Sequence, residues 1–223
     1  MNGATEDLEL GADYAGRLAD TLPRVRERMT RAAETAGRRL DDVRLVAVTK
    51  GHPLEALRAA LEAGLEDLGE NRVEELEEKV GALGRAAARW HMIGHLQRRK
   101  APRAIELADL IHSVDSLRLA ERLSRVAGDR MGSGEGDKVP ILVQVNTSGE
   151  ESKAGFEPAQ AVEEVHRIAE LPHLRVYGLM TMAPLVDDEA TLVSTFRRLR
   201  ETLEAVRALH PGVGTELSMG MTN

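Results

Sequence analysis

The chain has 223 residues, 42% hydrophobic and 30% charged, with a formal net charge of −7. That supplies one large domain with a buried core and a well-solvated surface, and the acidic balance argues against a nucleic-acid binder, whose phosphate contacts need a basic face. Aromatics at 2% leave no stacking platform for bases, and the absence of cysteine excludes disulfides, thiolate metal sites and a cysteine nucleophile. No run approaches the roughly 18 apolar residues of a membrane span. The acidic start, MNGATEDLELGADY, lacks the basic and apolar blocks of a signal peptide, so a cytoplasmic protein is expected.

Leu18, Leu22, Val25, Met29 and Ala32 recur at helical spacing, with Gly37 placed to end the helix and Pro23 either starting or kinking it. The chain then alternates. Expected strands cover residues 43–48, 65–68, 89–93, 109–114, 139–145, 176–180 and 215–219, and a helical pattern fills each gap. The first of those helices, residues 53–63, has proline in its first turn and Gly64 just past its end. The last is marked by Leu192, Phe196, Leu199, Leu203, Val206 and Leu209, with Pro211 beyond. Residues 128–137, GDRMGSGEGD, read as a solvated loop.

Strands alternating with helices predict a parallel sheet with right-handed crossovers, and apolar runs without alternation predict strands covered on both faces. An open doubly wound sheet and a closed (β/α)8 barrel compete. No strand is followed by a G-x-G-x-x-G turn, and the even spacing favours a barrel lacking its eighth strand. In a barrel, function gathers at the C-terminal strand ends. Those ends carry Lys50, Glu70 with Asn71, His91 with Gly94 and His95, Asp115 with Ser116, Asn146 with Thr147, Thr181, and Ser218 with Gly220. Each alone has an unremarkable reading: a solvated lysine, a satisfied core histidine. Together they predict a ligand site.

A lysine desolvated against apolar strand residues can offer a neutral amine to an aldehyde, forming a Schiff base. A serine hydroxyl with glycine-freed amides after the seventh strand, Ser218 and Gly220, suits a phosphate. The pair points to a phosphorylated aldehyde, pyridoxal phosphate above all. His91 and His95 straddle a strand end and a glycine without an accompanying carboxylate, so no metal site is expected. The basic run Gln97 to Lys100 reads as a solvated face, and Met180, Met182, Met219 and Met221 as core filling.

The stretches LVAVTK, LGENRVEE, WHMIGHLQRRK, IHSVDS, VQVNTSGEESKAGF, GLMTMAP and LSMGMTN, in that order over about four-fifths of the chain, resemble the pyridoxal phosphate homeostasis proteins, the YggS/PROSC family. The resemblance implies a single barrel domain over residues 1–223, similar to the N-terminal domain of alanine racemase. It implies that Lys50 forms the internal aldimine with pyridoxal 5'-phosphate, that Asn71 lies near the cofactor ring, and that Ser218 and Gly220 bind its phosphate. Family members continue into a further helix and an RIGTAIFG-like strand, whereas this sequence ends at Asn223, so the expectation is a C-terminally shortened barrel. The implied role is vitamin B6 homeostasis without catalytic turnover, with pyridoxal phosphate-requiring apo-enzymes as partners; the mostly charged helices point to a monomer. The alternatives are a pyridoxal phosphate-dependent racemase, which needs a second, opposed acid/base, and an aldolase-like barrel acting on a sugar phosphate.

Overall fold

The computed structural model describes residues 3–130, 138–150 and 153–220, with side chains from residue 11 onward. It contains seven α-helices and seven β-strands in alternation, arranged as two compact units, Met1–His91 and Met92–Asn223.

The first unit opens with α1 (Gly3–Thr35). Pro23 lies inside this helix rather than starting it. Leu22 and Ala33 are buried, whereas Val25, placed on the apolar face by its spacing, is exposed. Gly37, at φ 67°, ends the segment in the left-handed conformation that side chains resist. Next come β1 (Ala47–Val48), α2 (Leu54–Glu62), β2 (Asp67–Glu70), α3 (Val73–Leu83) and the start of β3 (Arg89–Met92). α2 follows Pro53 and buries Ala56, Leu57, Ala59 and Ala60, and α1 packs against it. β1 and β2 pair in parallel, Ala47 opposite Leu68 and Val48 opposite Gly69.

Two strand expectations need correction here. The first strand is two residues long instead of six, and Val43 and Val48 are 37% and 39% exposed. That exposure shows the apolar run is not covered on both faces, although β1 pairs with β2. The second strand starts at Asp67 and includes Gly69 and Glu70, two residues beyond the expected end at Leu68. The pairing with β1 holds this glycine and glutamate extended despite their weak strand preference.

The second unit contains α4 (Ala101–Leu107), β4 (Leu110–Val114), α5 (Leu117–Arg130), β5 (Val139–Gln144), α6 (Pro158–Ala169), β6 (Leu174–Met180), α7 (Glu189–Leu209) and β7 (Glu216–Ser218). β4, β5, β6 and β7 form consecutive parallel pairs. All five β4 residues are buried, as are all of β5 except Pro140, the covered-strand pattern expected of a parallel sheet. Leu110, Leu142 and Met180, from three successive strands, form a core cluster with Tyr177 and Met182 packed on it. The ladder between β5 and β6 skips Tyr177, pairing Ile141 with Val176 and Leu142 with Gly178. At this bulge Gly178 adopts φ 152°, and a Cβ there would lie 1.9 Å from the Glu216 carbonyl oxygen. Only glycine lets β7 approach so closely.

The loop expected at 128–137 lies mostly outside the described residues; Gly128 to Arg130 close α5. In α7, Leu199, Leu203 and Val206 are buried as the spacing predicts, but Leu209 is 66% exposed.

Candidate functional site

Lys50 sits in the turn after β1, with an exposed side chain. The desolvation expected from apolar strand neighbours is therefore not what distinguishes it. What distinguishes it is the rigidity of the residues beside it. Thr49, 5% exposed, continues the ladder by donating its N–H to the Gly69 carbonyl at 3.0 Å. Its hydroxyl donates to Glu70 Oε1 at 2.5 Å, and its carbonyl accepts from Lys79 Nζ at 2.7 Å. Lys79 Nζ also reaches Glu70 Oε1 at 2.6 Å and lies 3.9 Å from Glu75 Oε2. Glu75 Oε2 in turn accepts the Gly51 N–H at 3.0 Å. Both residues flanking Lys50 are thus tied to α3. One residue further, His52 Nδ1 lies 3.3 Å from the Tyr14 hydroxyl of α1.

The β1–β2 ladder runs through Val48 opposite Gly69; Lys50 lies in the turn after β1, and Asn71 directly follows β2. Lys50 and Asn71 thus both follow the C-terminal ends of two paired parallel strands. Glu70 is fully buried. Its Oε2 and the Oδ1 of Asn71 are buried without hydrogen-bond partners. A buried acceptor lacking a donor is costly, so Asn71 presents a polar atom suited to a ligand's donor next to the lysine turn.

In the second unit the strand ends are also polar. Ser218 closes β7 opposite Met180, and its hydroxyl oxygen lies 2.8 Å from Nδ1 of His112 on β4. β4 and β7 are not ladder neighbours, so β4 to β7 must curl enough for their side chains to meet across the concave face. Gly220 follows at φ 143° with nothing within 4 Å of a Cβ position, leaving its backbone approachable. Thr147 and Thr181 share a buried hydroxyl–hydroxyl hydrogen bond of 2.8 Å.

Other members of the expected ring have structural jobs. Asn146 Nδ2 donates to the carbonyls of Glu150 and Lys153, and its Oδ1 accepts from the Ser148 hydroxyl and the Gly149 N–H. This asparagine is spent holding its own loop, a common use of the residue, and is not a ligand group. His91 is buried within β3 with Nε2 2.9 Å from Asp67 Oδ1, the satisfied core histidine. His95 pairs instead with Asp115 at 3.1 Å. Asp67 also receives Arg89 through two hydrogen bonds of 2.8 and 2.7 Å. Burial alone would raise its carboxyl, but the hydrogen bonds and charges of Arg89 and His91 outweigh that and hold it below the ordinary carboxylate value. Arg98 and Arg99 are exposed, as expected for a solvated basic face. Met180 fills the core, Met219 is 43% exposed, and Met221 lies outside the described residues.

Sequence reading missed Lys79 and His112. Both left a signal. Lys79 falls on the buried stripe of α3 with Val73, Leu76 and Val80, and His112 interrupts the wholly buried strand LIHSV. A charged or titratable residue at an apolar position announces a partner.

Residues 21–223 match the family model described as alanine racemase, N-terminal domain. Among curated relatives, the pyridoxal phosphate homeostasis protein of Aquifex aeolicus is 35% identical over 92% of this chain and 87% of its own length. That of Pseudomonas aeruginosa is 38% identical over 92% and 86%. The chain belongs to the pyridoxal phosphate homeostasis protein family. Its structural relatives within that range of identity include PipY of Synechococcus elongatus, solved with PLP bound, at 36% identity and TM-score 0.71 over 86% of this chain and 88% of PipY. An alanine racemase from Clostridium difficile, at 15% identity and TM-score 0.66, covers 95% of this chain and 50% of its own and shares the fold alone. The architecture is accordingly the α/β barrel type of the alanine racemase N-terminal domain, represented among the described residues by seven strands. This homeostasis-family member contains no helix, among its described residues, long and apolar enough to cross a membrane.

Proposed function

We propose that this chain binds pyridoxal 5'-phosphate and serves intracellular vitamin B6 homeostasis, holding the cofactor through Lys50 without catalytic turnover. The observation that carries the reading is the buried Oδ1 of Asn71, an acceptor without a partner, just past the end of β2, the strand paired with the one that Lys50 follows. The donor set fits the cofactor's chemistry. An anchored primary amine suits an aldehyde, and a serine hydroxyl with an open glycine backbone, Ser218 and Gly220, suits a phosphate. When bound, the cofactor supplies an electrophilic aldehyde and an electron-withdrawing ring. The protein's part is to offer Lys50 from a turn tied down at Thr49 and Gly51. Family membership and the cofactor-bound PipY relative support the same reading. Residues 1–223 are proposed to act as one cofactor-binding domain, as a cytoplasmic monomer with cofactor-requiring apo-enzymes as recipients.

The test is covalent trapping. Purified protein incubated with pyridoxal phosphate develops a visible absorption band, borohydride reduction fixes the label, and peptide mapping places it on Lys50. A protein that stays colourless and unlabelled overturns the reading. Racemisation of L-alanine or another amino acid by the loaded protein, at enzyme-like rates, overturns its non-catalytic part.

A further inference from the structure

Building on the phosphate role proposed for Ser218, we infer that His112 is the residue that aims the Ser218 hydroxyl at the cofactor's phosphate. A serine hydroxyl has one proton and two lone pairs. If its proton is to serve a phosphate oxygen, a fixed donor must occupy the oxygen from behind, or the hydroxyl rotates freely and is shared with water. His112 Nδ1, 2.8 Å from Ser218 Oγ, stands in that position. It is 4% exposed, on a strand whose residues are all buried, so its ring is held by packing. When the phosphate is present Nδ1 carries a proton and donates to Oγ, and Oγ–H donates to the anion.

The arrangement spans β4 and β7, which are separated by β5 and β6 in the ladder. It therefore couples the phosphate end to the curl of this unit. Nothing in it involves the aldehyde end, and this separation makes the inference testable. His112 is a positioning residue for one half of the ligand only.

The experiment compares pyridoxal phosphate with pyridoxal, which carries the same aldehyde without the phosphate, on the full chain. Affinities are read from absorbance titrations of the wild type, His112→Leu, His112→Asn, Ser218→Ala and the His112→Leu/Ser218→Ala double variant. Removing one hydrogen bond that orients a ligand group is expected to weaken pyridoxal phosphate binding by roughly five- to tenfold in His112→Leu, with pyridoxal binding unchanged. His112→Asn, whose side-chain amide reaches the position of Nδ1, restores most of the preference. The double variant is no weaker than Ser218→Ala, because the histidine acts only through that hydroxyl.

Equal losses for both aldehydes, additive losses in the double variant, or an unchanged preference in both histidine variants overturn the inference while leaving the cofactor reading intact. A wild-type protein that takes neither aldehyde overturns the cofactor reading and this inference with it. Should His112→Leu fail to fold, His112→Asn with Ser218→Ala decides the same question: an asparagine variant as indifferent to phosphate as Ser218→Ala removes the assignment.

Discussion

Substituting Lys79 by methionine removes the ammonium and keeps most of the side-chain volume, so it isolates the charge at the centre of the Lys50 support. Lys79 is 5% exposed and Glu70 fully buried. The substitution strips Glu70 Oε1 of its 2.6 Å partner and the Thr49 carbonyl of its 2.7 Å donor. The glutamate then retains one hydroxyl donor, Thr49, for a carboxylate whose Oε2 already has no partner. Breaking a buried pair by deleting one member costs about 3–5 kcal/mol, because the other charge is left uncompensated. That is a large share of the ~5–15 kcal/mol by which domains are stable. The chain's single tryptophan, Trp90, is fully buried in β3 and reports unfolding by fluorescence. With a urea dependence of about 2 kcal/mol/M, the midpoint falls by about 2 M. The double substitution Glu70→Leu/Lys79→Met removes both charges and recovers at least half of the loss, since apolar residues of similar volume replace buried pairs at little cost. A single substitution costing less than ~1 kcal/mol, or a double no better than the single, refutes the claim that this pair is a desolvated, mutually dependent unit.

Asp67 sets an acid limb of stability. Its carboxyl lies below the ordinary value of 3.8 in the folded protein, so the unfolded chain takes up the proton first. The stabilisation is complete above the unfolded value and lost as pH falls through the depressed folded one. Asp67→Asn therefore lowers the melting temperature at neutral pH and converges with wild type under acid conditions; melting temperatures parallel at every pH contradict this. Gly178→Ala forces a Cβ to within 1.9 Å of the Glu216 carbonyl at φ 152°, so β7 must move away. The expected outcome is a destabilised protein with faster amide exchange in Glu216 to Ser218, and wild-type protection there counts against the bulge argument.

The strands of the second unit were legible because β4 and β5, buried almost throughout, leave the continuous apolar runs of covered parallel strands. Strand edges were less legible. At 67–70 the residues are Asp, Leu, Gly and Glu, and it is pairing with β1, a partner remote in sequence, that makes them a strand. Lys50 and Asn71 stood out as candidates because strand ends follow from strand positions. Asn146 stands at a polar strand end by position as well, but in the folded protein its amide is consumed by its own loop.

By itself, then, the sequence determined the α/β alternation, the family through its ordered motifs, and the placing of Lys50, Asn71, Ser218 and Gly220 at strand ends, because all of these depend on local periodicity and on residue identity. Tertiary structure alone decided which polar groups are satisfied. Lys79 reaches Glu70 and Thr49 from a helix nine residues or more away in the chain, and His112 meets Ser218 across a separation of 106 residues. Hydrogen bonds are directional and short-ranged, so their partners are set by how strands curl and helices pack, and no spacing along the chain encodes them.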